Sequence, residues 1–598
     1  MHGGFRGRMM SAEETDYNLT QLDRRTIGFF LGYVRPHLWT LLGAFGAMLV
    51  VTLTTLAGPY LSKIAIDDYI LQGDLAGLNL VFAVMLLTYG LFWLSSYWQT
   101  YLSSWMGQRI VGSIRTDLYG HLQRLSMDFF NHRQTGDVMS RVTHDVNTLS
   151  ELVTTGLLRL VNDLLTLVGI VVILVTLNLR LALITFVTIP IIYLAISHLG
   201  RRMRLAYRDV QQRLADLNAD VEQNLSGIRV VQALNREAIN TGEFDRLSWA
   251  NLKANLRAVS VFALLFPTMT FSRVLGEALV LWYGGWGVFH GVLTLGVLVA
   301  FLGYVRQFFA PLADLSQVYN TLQVAGAGLD RIWEYMSIEP AVREPEDPVR
   351  PEEGFRGGLS FREVSFAYGD EPVIRHLNLE VEAGEVFALV GSTGAGKTTV
   401  ANLLARLYDV DEGSVAIDGV DLRQIALKDL RDLVAVVPQN VFLFDQSIRE
   451  NIRYGSPGAT DEEVEDAARR VGAHDIISSL PEGYDTQVGE GGMRLSGGQR
   501  QLVSFVRALL ADPAILILDE ATSSVDAYTE MILQEAMEEL LSGRTAIIIA
   551  HRFTTLRKAD RIGVMDGGVL VATGTHEELM DSCDIYRELF EKQKIDVA

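Results

Sequence analysis

The stretch "EVFALVGSTGAGKTTVANLLARL", residues 385–407, has the pattern of a buried strand, a glycine-rich turn and a helix that starts directly behind the turn. Within it, Gly391–Thr398 fits the spacing G-x-x-x-x-G-K-[ST]. Glycines let the backbone curl so that its N–H groups face phosphate oxygens at a helix N-terminus, which favours negative charge. Lys397 then reaches the β- and γ-phosphates, and Thr398 offers its hydroxyl to Mg²⁺. The stretch predicts an α/β domain with a nucleotide site, whose binding residues are expected to be Gly391, Ser392, Thr393, Gly394, Ala395, Gly396, Lys397, Thr398 and Thr399.

A second element, "AILILDEATSSVD" (514–526), follows about 120 residues later. Its four apolar residues, Ile515–Leu518, are typical of a strand buried in a parallel sheet. Asp519 at the end of the strand is placed to hold Mg²⁺ through water. Glu520 comes next, where a carboxylate can orient or deprotonate the water that attacks the γ-phosphate.

Between these two elements lies "RLSGGQRQLVSFVRALLADP" (494–513), a glycine turn with a helix behind it and therefore a second possible anion site. Three further features are weak when taken singly. They are Tyr368 in "FAYGD", Gln439 in "VVPQN" and His551 in "IIIAHR". A lone histidine at the end of an apolar strand is ordinarily structural, and that interpretation stays open here.

Long uncharged runs dominate the first half of the chain. A helix needs about 20 residues to cross the roughly 30 Å hydrocarbon core of a membrane. We expect six spans, within residues 38–62, 75–108, 163–180, 181–200 and, as a pair, 257–306. The glycines at Gly284, Gly285 and Gly287 are expected to break the last run near 286–292. Buried helices of a soluble protein are the alternative, which six such runs disfavour.

The basic residues predict the orientation of these spans. Segments 104–154 and 201–258 contain 5 and 10 Lys+Arg, whereas 63–74, 179–180 and 288–294 contain 1, 1 and 0. This bias places the long segments, both termini and the nucleotide-binding half in the cytoplasm, with the chain in the cytoplasmic (inner) membrane. The long segments also have helical apolar spacing, so we expect membrane helices that extend into the cytoplasm.

Composition separates the chain into two kinds of domain. Of 598 residues 49% are hydrophobic, and the formal net charge is −20. Residues 1–340 are nearly neutral, with 26 Lys+Arg against 25 Asp+Glu, whereas residues 341–598 carry 25 against 46. The acidic half excludes nucleic-acid binding through a large basic surface. The single cysteine, Cys583, excludes an internal disulfide and a cysteine-built metal site.

Four segments follow from these patterns. Residues 1–37 form a cytoplasmic segment without the apolar core of a cleavable signal, ending in an amphipathic interfacial helix. Residues 38–338 form the transmembrane domain, and 339–355 form a linker rich in Pro and Glu. Residues 356–598 form the nucleotide-binding domain.

The motifs taken together resemble a known family. The phosphate loop, Gln439, "LSGGQRQ", "ILILDE", "SSVD" and "AHR" occur in the order found in ATP-binding-cassette ATPases, and this resemblance covers residues 356–598. "FFNHRQTGDVMSRVTHDV" (129–146) is similar to the first cytoplasmic loop of the exporter branch of that family. The resemblance implies an all-α polytopic membrane domain, with six transmembrane helices and long cytoplasmic extensions. An α/β P-loop ATPase domain with a helical subdomain follows it.

The resemblance also implies roles for individual residues. Tyr368 stacks on adenine, and Gln439 senses the γ-phosphate and Mg²⁺. Glu520 is the catalytic base and His551 the γ-phosphate switch. Asp526 communicates across the interface between two cassettes, and the residues that clamp the nucleotide held by the partner's phosphate loop are Ser496, Gly497, Gly498 and Gln499.

One cassette and six spans make half a transporter, so we expect a dimer that uses ATP and Mg²⁺. Intact Glu520 and "LSGGQ" favour a homodimer, and a heterodimer stays open. The expected function is ATP-driven export of small amphiphilic or hydrophobic molecules, drug-like compounds or lipids, by alternating access. An ATP-gated channel, a regulatory membrane ATPase, or half of a heterodimeric exporter of peptides or other cargo are the alternatives.

Three ionisable residues inside the predicted spans are candidates for contact with cargo. Arg273 and Glu277 are four residues apart on one helix face, where they either satisfy each other or line a polar cavity. Asp163 lies closer to the inner boundary, where water is expected to reach it.

Overall fold

The computed structural model describes residues 23–351, 354–519, 527–550 and 556–596. These residues form two compact units. The first consists of the chain up to Gln123 together with Arg133–Ile338. The second consists of Arg124–His132 together with the chain from Glu339 onward.

The described residues of the first unit form long helices, as predicted. They are α1 (Arg24–Val34), α2 (Leu38–Ile64), α3 (Leu75–Leu122), α5 (Thr135–Ser140), α6 (Val146–Glu151), α7 (Leu157–Leu177), α8 (Leu179–Phe186), α9 (Thr188–Ser226), α10 (Ile228–Ala233), α11 (Glu237–Phe262), α12 (Leu265–Phe289) and α13 (Leu295–Met336), while the short α4 (Met127–Asn131) belongs to the second unit.

Four stretches of helix in the described residues are long and apolar enough to cross a membrane. They are Arg24–Ile70, Leu75–Leu122, Leu158–Leu177 and Glu237–Phe289. The other two expected spans correspond to shorter apolar helices, Leu179–Pro190 and Leu295–Pro311. Helices such as α3, with 48 residues, exceed what a bilayer requires, which agrees with the expected extensions.

Polar residues set the turns between these helices. The Asp74 carboxylate accepts hydrogen bonds from the backbone N–H groups of Ala76 and Gly77 and begins α3. Asn178 ends α7 in an extended conformation, and its side chain accepts from the Leu181 N–H to begin α8. Thr294 begins α13 in the same way. Each side chain satisfies a backbone donor that the first helical turn leaves without a partner.

The break expected near 286–292 is present, since α12 ends at Phe289 and α13 begins at Leu295, but the three glycines precede it. Gly284, Gly285 and Gly287 lie inside α12, which continues to Phe289. A Cβ atom at Gly284 would lie 2.7 Å from the Leu298 Cδ1 atom of α13. The glycine therefore allows α12 and α13 to approach closely, and the turn itself follows at 290–294.

The amphipathic helix predicted before the first span is α1. Its Phe29 ring contacts Trp333 of α13 at 5.2 Å between centroids, and the Tyr33 hydroxyl donates to Asp117 of α3 at 2.8 Å. The helix is thus packed against the extensions of two spans.

The second unit contains two sheets. Their strands are β1 (Leu359–Tyr368), β2 (Glu371–Val381), β3 (Val386–Gly391), β4 (Glu412–Ile417), β5 (Val420–Asp421), β6 (Val434–Val437), β7 (Ile515–Asp519), β8 (Thr545–Ile549), β9 (Arg561–Asp566) and β10 (Val569–Gly574). Its helices after α4 are α14 (Lys397–Leu404), α15 (Leu427–Leu433), α16 (Ile448–Arg453), α17 (Asp461–Arg470), α18 (His474–Ser478), α19 (Gly497–Leu510), α20 (Ala527–Leu541), α21 (His576–Ser582) and α22 (Asp584–Asp596).

The larger sheet has the order β10-β9-β3-β8-β7-β6, and the smaller, antiparallel sheet has the order β2-β1-β4-β5. Strands β9, β3, β8, β7 and β6 run parallel, and all but the edge strand β6, where Val436 is 43% exposed, bury both faces. Alternate residues of β3 belong to two different cores: Ala388 and Val390 to one, Phe387 and Leu389 to the other. The larger sheet therefore separates two hydrophobic layers.

Candidate functional site

The phosphate loop lies where the sequence predicted it, between β3 and α14. Its Gly394 and Gly396 have φ angles of 86° and 99°, a region that glycine adopts without steric cost. The Ala395 N–H donates to the Ser392 carbonyl at 3.1 Å, which closes the turn. The loop thus has the tight curvature that lets backbone N–H groups face a phosphate.

Two neighbouring strands, β9 and β2, pack closely against this loop. A Cβ atom at Gly391 would lie 2.2 Å from the Met565 carbonyl oxygen of β9, and one at Gly396 would lie 2.6 Å from Ile374 of β2. Both distances are shorter than any carbon contact allows. Packing therefore requires glycine at position 391, where the obstacle is backbone, and the φ of 99° favours glycine at position 396.

Lys397 begins α14 and is buried, with 5% of the residue exposed. Its ammonium group donates to the carbonyl oxygens of Gly391 at 2.8 Å and Ser392 at 3.0 Å. These bonds hold the cation inside the curl of the loop. A negative ligand bound there would meet a positioned charge at a helix N-terminus.

Asp519 and Gln439 lie at the same edge of the larger sheet as the loop. Leu389 of β3 and Asp519 of β7 both pair with Ile549 of β8, so all three are level across the sheet. Neighbouring strands are about 4.8 Å apart, which puts Asp519 about 10 Å from β3. Gln439 is exposed and follows the end of β6 by two residues.

These positions fit the predicted Mg²⁺ site. Thr398 is exposed in the first turn of α14, and Asp519 is half-buried at the strand end. A hydroxyl, a carboxylate and the Gln439 amide offer oxygen ligands, which Mg²⁺ prefers, with phosphate and water oxygens completing six. No group of three or more His, Cys, Asp or Glu suited to a metal occurs among the described residues, so a site held entirely by such ligands is not found there.

Three predicted site residues, Glu520, Asp526 and His551, lie outside the described residues. The strands before Glu520 and His551 are described, and both end at the edge of the sheet that carries the phosphate loop. The roles predicted for these three side chains stay predictions.

Tyr368, the predicted adenine contact, ends β1 and accepts a hydrogen bond from Asn402 of α14 at 3.3 Å. Its ring meets the ring of Tyr408 edge-on at 5.2 Å. Burial raises the pKa of Tyr408, whose hydroxyl oxygen accepts from Asn131 of α4 at 2.5 Å. A chain of contacts thus joins Tyr368 to the α4 segment. Asn131 lies within the motif quoted at 129–146, whereas Tyr408 lies in no motif that would have identified it.

The "LSGGQ" segment, residues 495–499 and called the signature turn below, forms the N-terminus of α19. The Ser496 hydroxyl accepts from the Gln499 N–H at 3.2 Å, and the Gln499 side chain accepts from the Ser496 N–H at 2.9 Å. This reciprocal capping box fixes the turn. Ser496 and Gly497 are exposed, so the positive end of the helix dipole faces outward.

The helices that follow the phosphate loop and the signature turn, α14 and α19, lie on opposite sides of the larger sheet. Val400 and Leu404 of α14 pack in the layer that contains Phe387 and Leu389. Leu502 of α19 packs in the other layer, with Ala388 and Val390. The two sequence motifs are therefore not brought together within one chain.

In the first unit, Arg273 and Glu277 form the expected pair, with the guanidinium Nη1 at 2.6 Å from the carboxylate. Arg306 of α13 contacts the same carboxylate at 3.2 Å. Arg306 was not predicted as a site residue, because in the sequence it marks the end of an uncharged run. A basic residue 11 positions into the apolar helix α13 is nevertheless a signal that could have identified it. Asp163 was expected to be solvated and is instead buried, with 5% exposed.

The chain matches two family models: ABC transporter transmembrane region over residues 41–312 and ABC transporter over residues 374–523. An ATP-dependent lipid A-core flippase of Syntrophus aciditrophicus is 38% identical over 563 residues, covering 94% of each chain. A fatty acid ABC transporter ATP-binding/permease protein of Mycobacterium bovis is 38% identical over 486 residues, or 81% of this chain and 76% of that one. A solved structure of a bacterial Atm1-family ABC exporter with ATP bound superposes with a TM-score of 0.72 at 30% identity, covering 94% of this chain and 98% of that chain.

Proposed function

Since this chain belongs to the ABC transporter family, as a half-transporter of the exporter type, we propose that two copies assemble to export small amphiphilic or hydrophobic molecules. The chain is an ATP hydrolase coupled to transport. A homodimer is the proposed assembly, and each of its two nucleotide sites is shared between the chains.

One structural observation supports a nucleotide site that is shared between two chains. Helices α14 and α19, which follow the phosphate loop and the signature turn, lie on opposite sides of the larger sheet, and the turn is exposed, so the turn of one chain is available to another. The N-terminus of α19 offers backbone donors and a positive dipole end, which suits a phosphate. In the proposed dimer, Ser496–Gln499 of each chain completes the site built on the other chain's phosphate loop.

Within each site the residues of this chain have separate tasks. Lys397 and the loop backbone bind the phosphates, and Tyr368 stacks on adenine. Thr398, Gln439 and Asp519 hold Mg²⁺, which when bound neutralises charge that develops on the transferred phosphoryl group. Asp519 acts through a bound water.

Hydrolysis requires an attacking water to be positioned and deprotonated. Glu520 is the proposed base, and His551 and Asp526 respond to the γ-phosphate and to the partner cassette. Closure of the two cassettes moves the spans between inward- and outward-facing arrangements, and hydrolysis resets the cycle.

Lipids and drug-like molecules are the proposed cargo. According to their names, the two relatives described above act on lipid A-core and on fatty acids. Both molecules combine an apolar part with a polar head. Large exposed apolar side chains cover the spans, for example Leu87 and Trp93 of α3 at 67% and 72%. The proposed location is the cytoplasmic membrane, with both termini and residues 356–598 in the cytoplasm, because Lys and Arg concentrate in the long segments.

The assembly is tested by ATP hydrolysis of this chain purified alone in lipid nanodiscs, beside Glu520→Gln. We expect robust hydrolysis that is lost in the variant while ATP binding persists. Bound ATP without hydrolysis by the unaltered chain would contradict the homodimer and indicate a different partner. ATP-dependent accumulation of a lipid tracer in vesicles supports a pump, whereas ion conductance without accumulation would indicate a channel.

A further inference from the structure

Three charged side chains cluster within the membrane part of the first unit: Arg273 and Glu277 on α12, and Arg306 on α13. Helix α12 ends at Phe289 and α13 begins at Leu295, on either side of one short turn. At a rise of about 1.5 Å per residue, Glu277 lies about 18 Å and Arg306 about 17 Å from that turn. The hydrocarbon core is about 30 Å thick, so the cluster is close to its centre.

The cluster carries more positive than negative charge. The Glu277 Oε1 atom accepts from Arg273 Nη1 at 2.6 Å and from Arg306 Nε at 3.2 Å. Within the part of the chain that the structure describes, Glu277 is the carboxylate that pairs with these two arginines. One positive charge per chain therefore remains uncompensated inside the cluster.

The charges do not lie on the stripe of α12 that is apolar and most exposed. That stripe is formed by Phe271, Val274, Leu281 and Trp282. Arg273 lies about a third of a turn from the middle of this stripe, and Glu277 lies about a quarter of a turn from it, one helical turn before Leu281. The stripe suits contact with lipid, and the charged residues flank it on the side where Arg306 of α13 contacts Glu277.

On α13, the residues facing the unit's own core are Phe301, Tyr304, Val305 and Phe308. Arg306 lies on the other side of the helix, and 64% of its side chain is exposed. Charged side chains at mid-membrane face a bundle interior or a water-filled cavity, because exposure to lipid is costly. If two half-transporters assemble as proposed above, this side of α13 lines the cavity between them, and the present inference depends on that assembly.

We propose that Arg306, oriented by Glu277 and supported electrostatically by Arg273, binds an oxyanion at the head of an amphiphilic cargo. The head group is a phosphate or a carboxylate, and the tail is apolar. A guanidinium presents N–H groups in a planar fork that matches either oxyanion with two hydrogen bonds. Val299 lies two turns before Arg306 on the same side of α13 and is 37% exposed, so it offers apolar surface for the tail.

Matched pairs of amphiphiles test this assignment in the full chain in nanodiscs. 1-Oleoyl lysophosphatidate and monoolein differ by the phosphate, and oleate and oleyl alcohol differ by the carboxylate. The measured quantity is the mole fraction that half-maximally stimulates ATP hydrolysis. We expect the anionic member of at least one pair to act at a mole fraction about tenfold or more below its neutral partner, since a charge-assisted bond is lost in the latter. The pair that discriminates identifies the head group.

Three variants determine whether Arg306 is responsible. Arg306→Gln should abolish the discrimination, Arg306→Lys should retain part of it, and Glu277→Gln should retain or strengthen it because it removes negative charge. Equal responses to both members of each pair in the unaltered chain, or full discrimination in Arg306→Gln, would overturn the inference. Absence of ATP-driven movement of any tracer by the unaltered chain would instead contradict the proposed function.

Discussion

The Asp145 carboxylate, in the segment between α3 and α7, accepts hydrogen bonds from two arginines, and its removal should destabilise the first unit strongly. It lies just before α6, and its side chain is 1% exposed. Arg141 donates to it at 3.0 Å, and Arg331 of α13 donates twice, at 3.0 and 2.6 Å. Asp145→Ala leaves two largely buried guanidinium groups without this partner. Breaking a buried ion pair in this way costs about 3–5 kcal/mol.

For a unit of this size, such a loss corresponds to a fall of about 10 °C in the midpoint of thermal unfolding. The assay is the fraction of detergent-solubilised protein that stays monodisperse after heating, without nucleotide. Glu243→Ala is the matched control, because Glu243 pairs with Arg246 at an exposed site and should change the midpoint little. Asp145→Ala combined with Arg331→Met should cost less than the sum of the two single changes. A midpoint for Asp145→Ala equal to that of the control would refute the reasoning.

Three further changes test the second unit. Gly391→Ala should weaken ATP binding more than tenfold, measured with a fluorescent ATP analogue, because the new methyl group meets the Met565 carbonyl oxygen at 2.2 Å. Burial raises the pKa of Tyr484 to about 12, above its unfolded value of about 10. Its contribution to stability is therefore complete below about pH 10 and disappears as pH rises through 12, and Tyr484→Phe should remove that part of the alkaline dependence of the unfolding midpoint. Tyr408→Phe removes the bond from Asn131 and keeps the ring, so cargo moved per ATP hydrolysed should fall about fivefold, for a bond of about 1 kcal/mol, while ATP binding stays unchanged.

Local spacing was sufficient to predict the two-part fold and the phosphate loop. Glycine and lysine at fixed intervals between an apolar strand and a helix specify one geometry; Gly391 ends β3, Lys397 begins α14 and Asp519 ends β7. The signature turn was likewise predictable from the sequence, because Ser496 and Gln499 form a reciprocal capping box within four residues. Short-range physics decides each of these features.

Features that depend on packing between distant segments were not predictable in the same way. Gly284 looked like a helix break, but its lack of a side chain serves the contact with Leu298. Asp163 was expected in water and is buried among helices. Arg306 joins Glu277 across a turn, which a count of uncharged residues along the chain does not detect. The placement of α14 and α19 on opposite sides of the larger sheet was not predictable either, because it depends on the strand order of that sheet.

The central claim is that each nucleotide site uses the phosphate loop of one chain and the signature turn of the other. It is tested by ATP hydrolysis in mixtures of a Lys397→Ala chain with a Ser496→Arg chain, each inactive by itself. Mixed dimers contain one site with both defects and one intact site, so the account predicts that activity returns on mixing. If each chain built its own complete site, every site in the mixture would stay defective. Intact mixed dimers without hydrolysis would contradict the account.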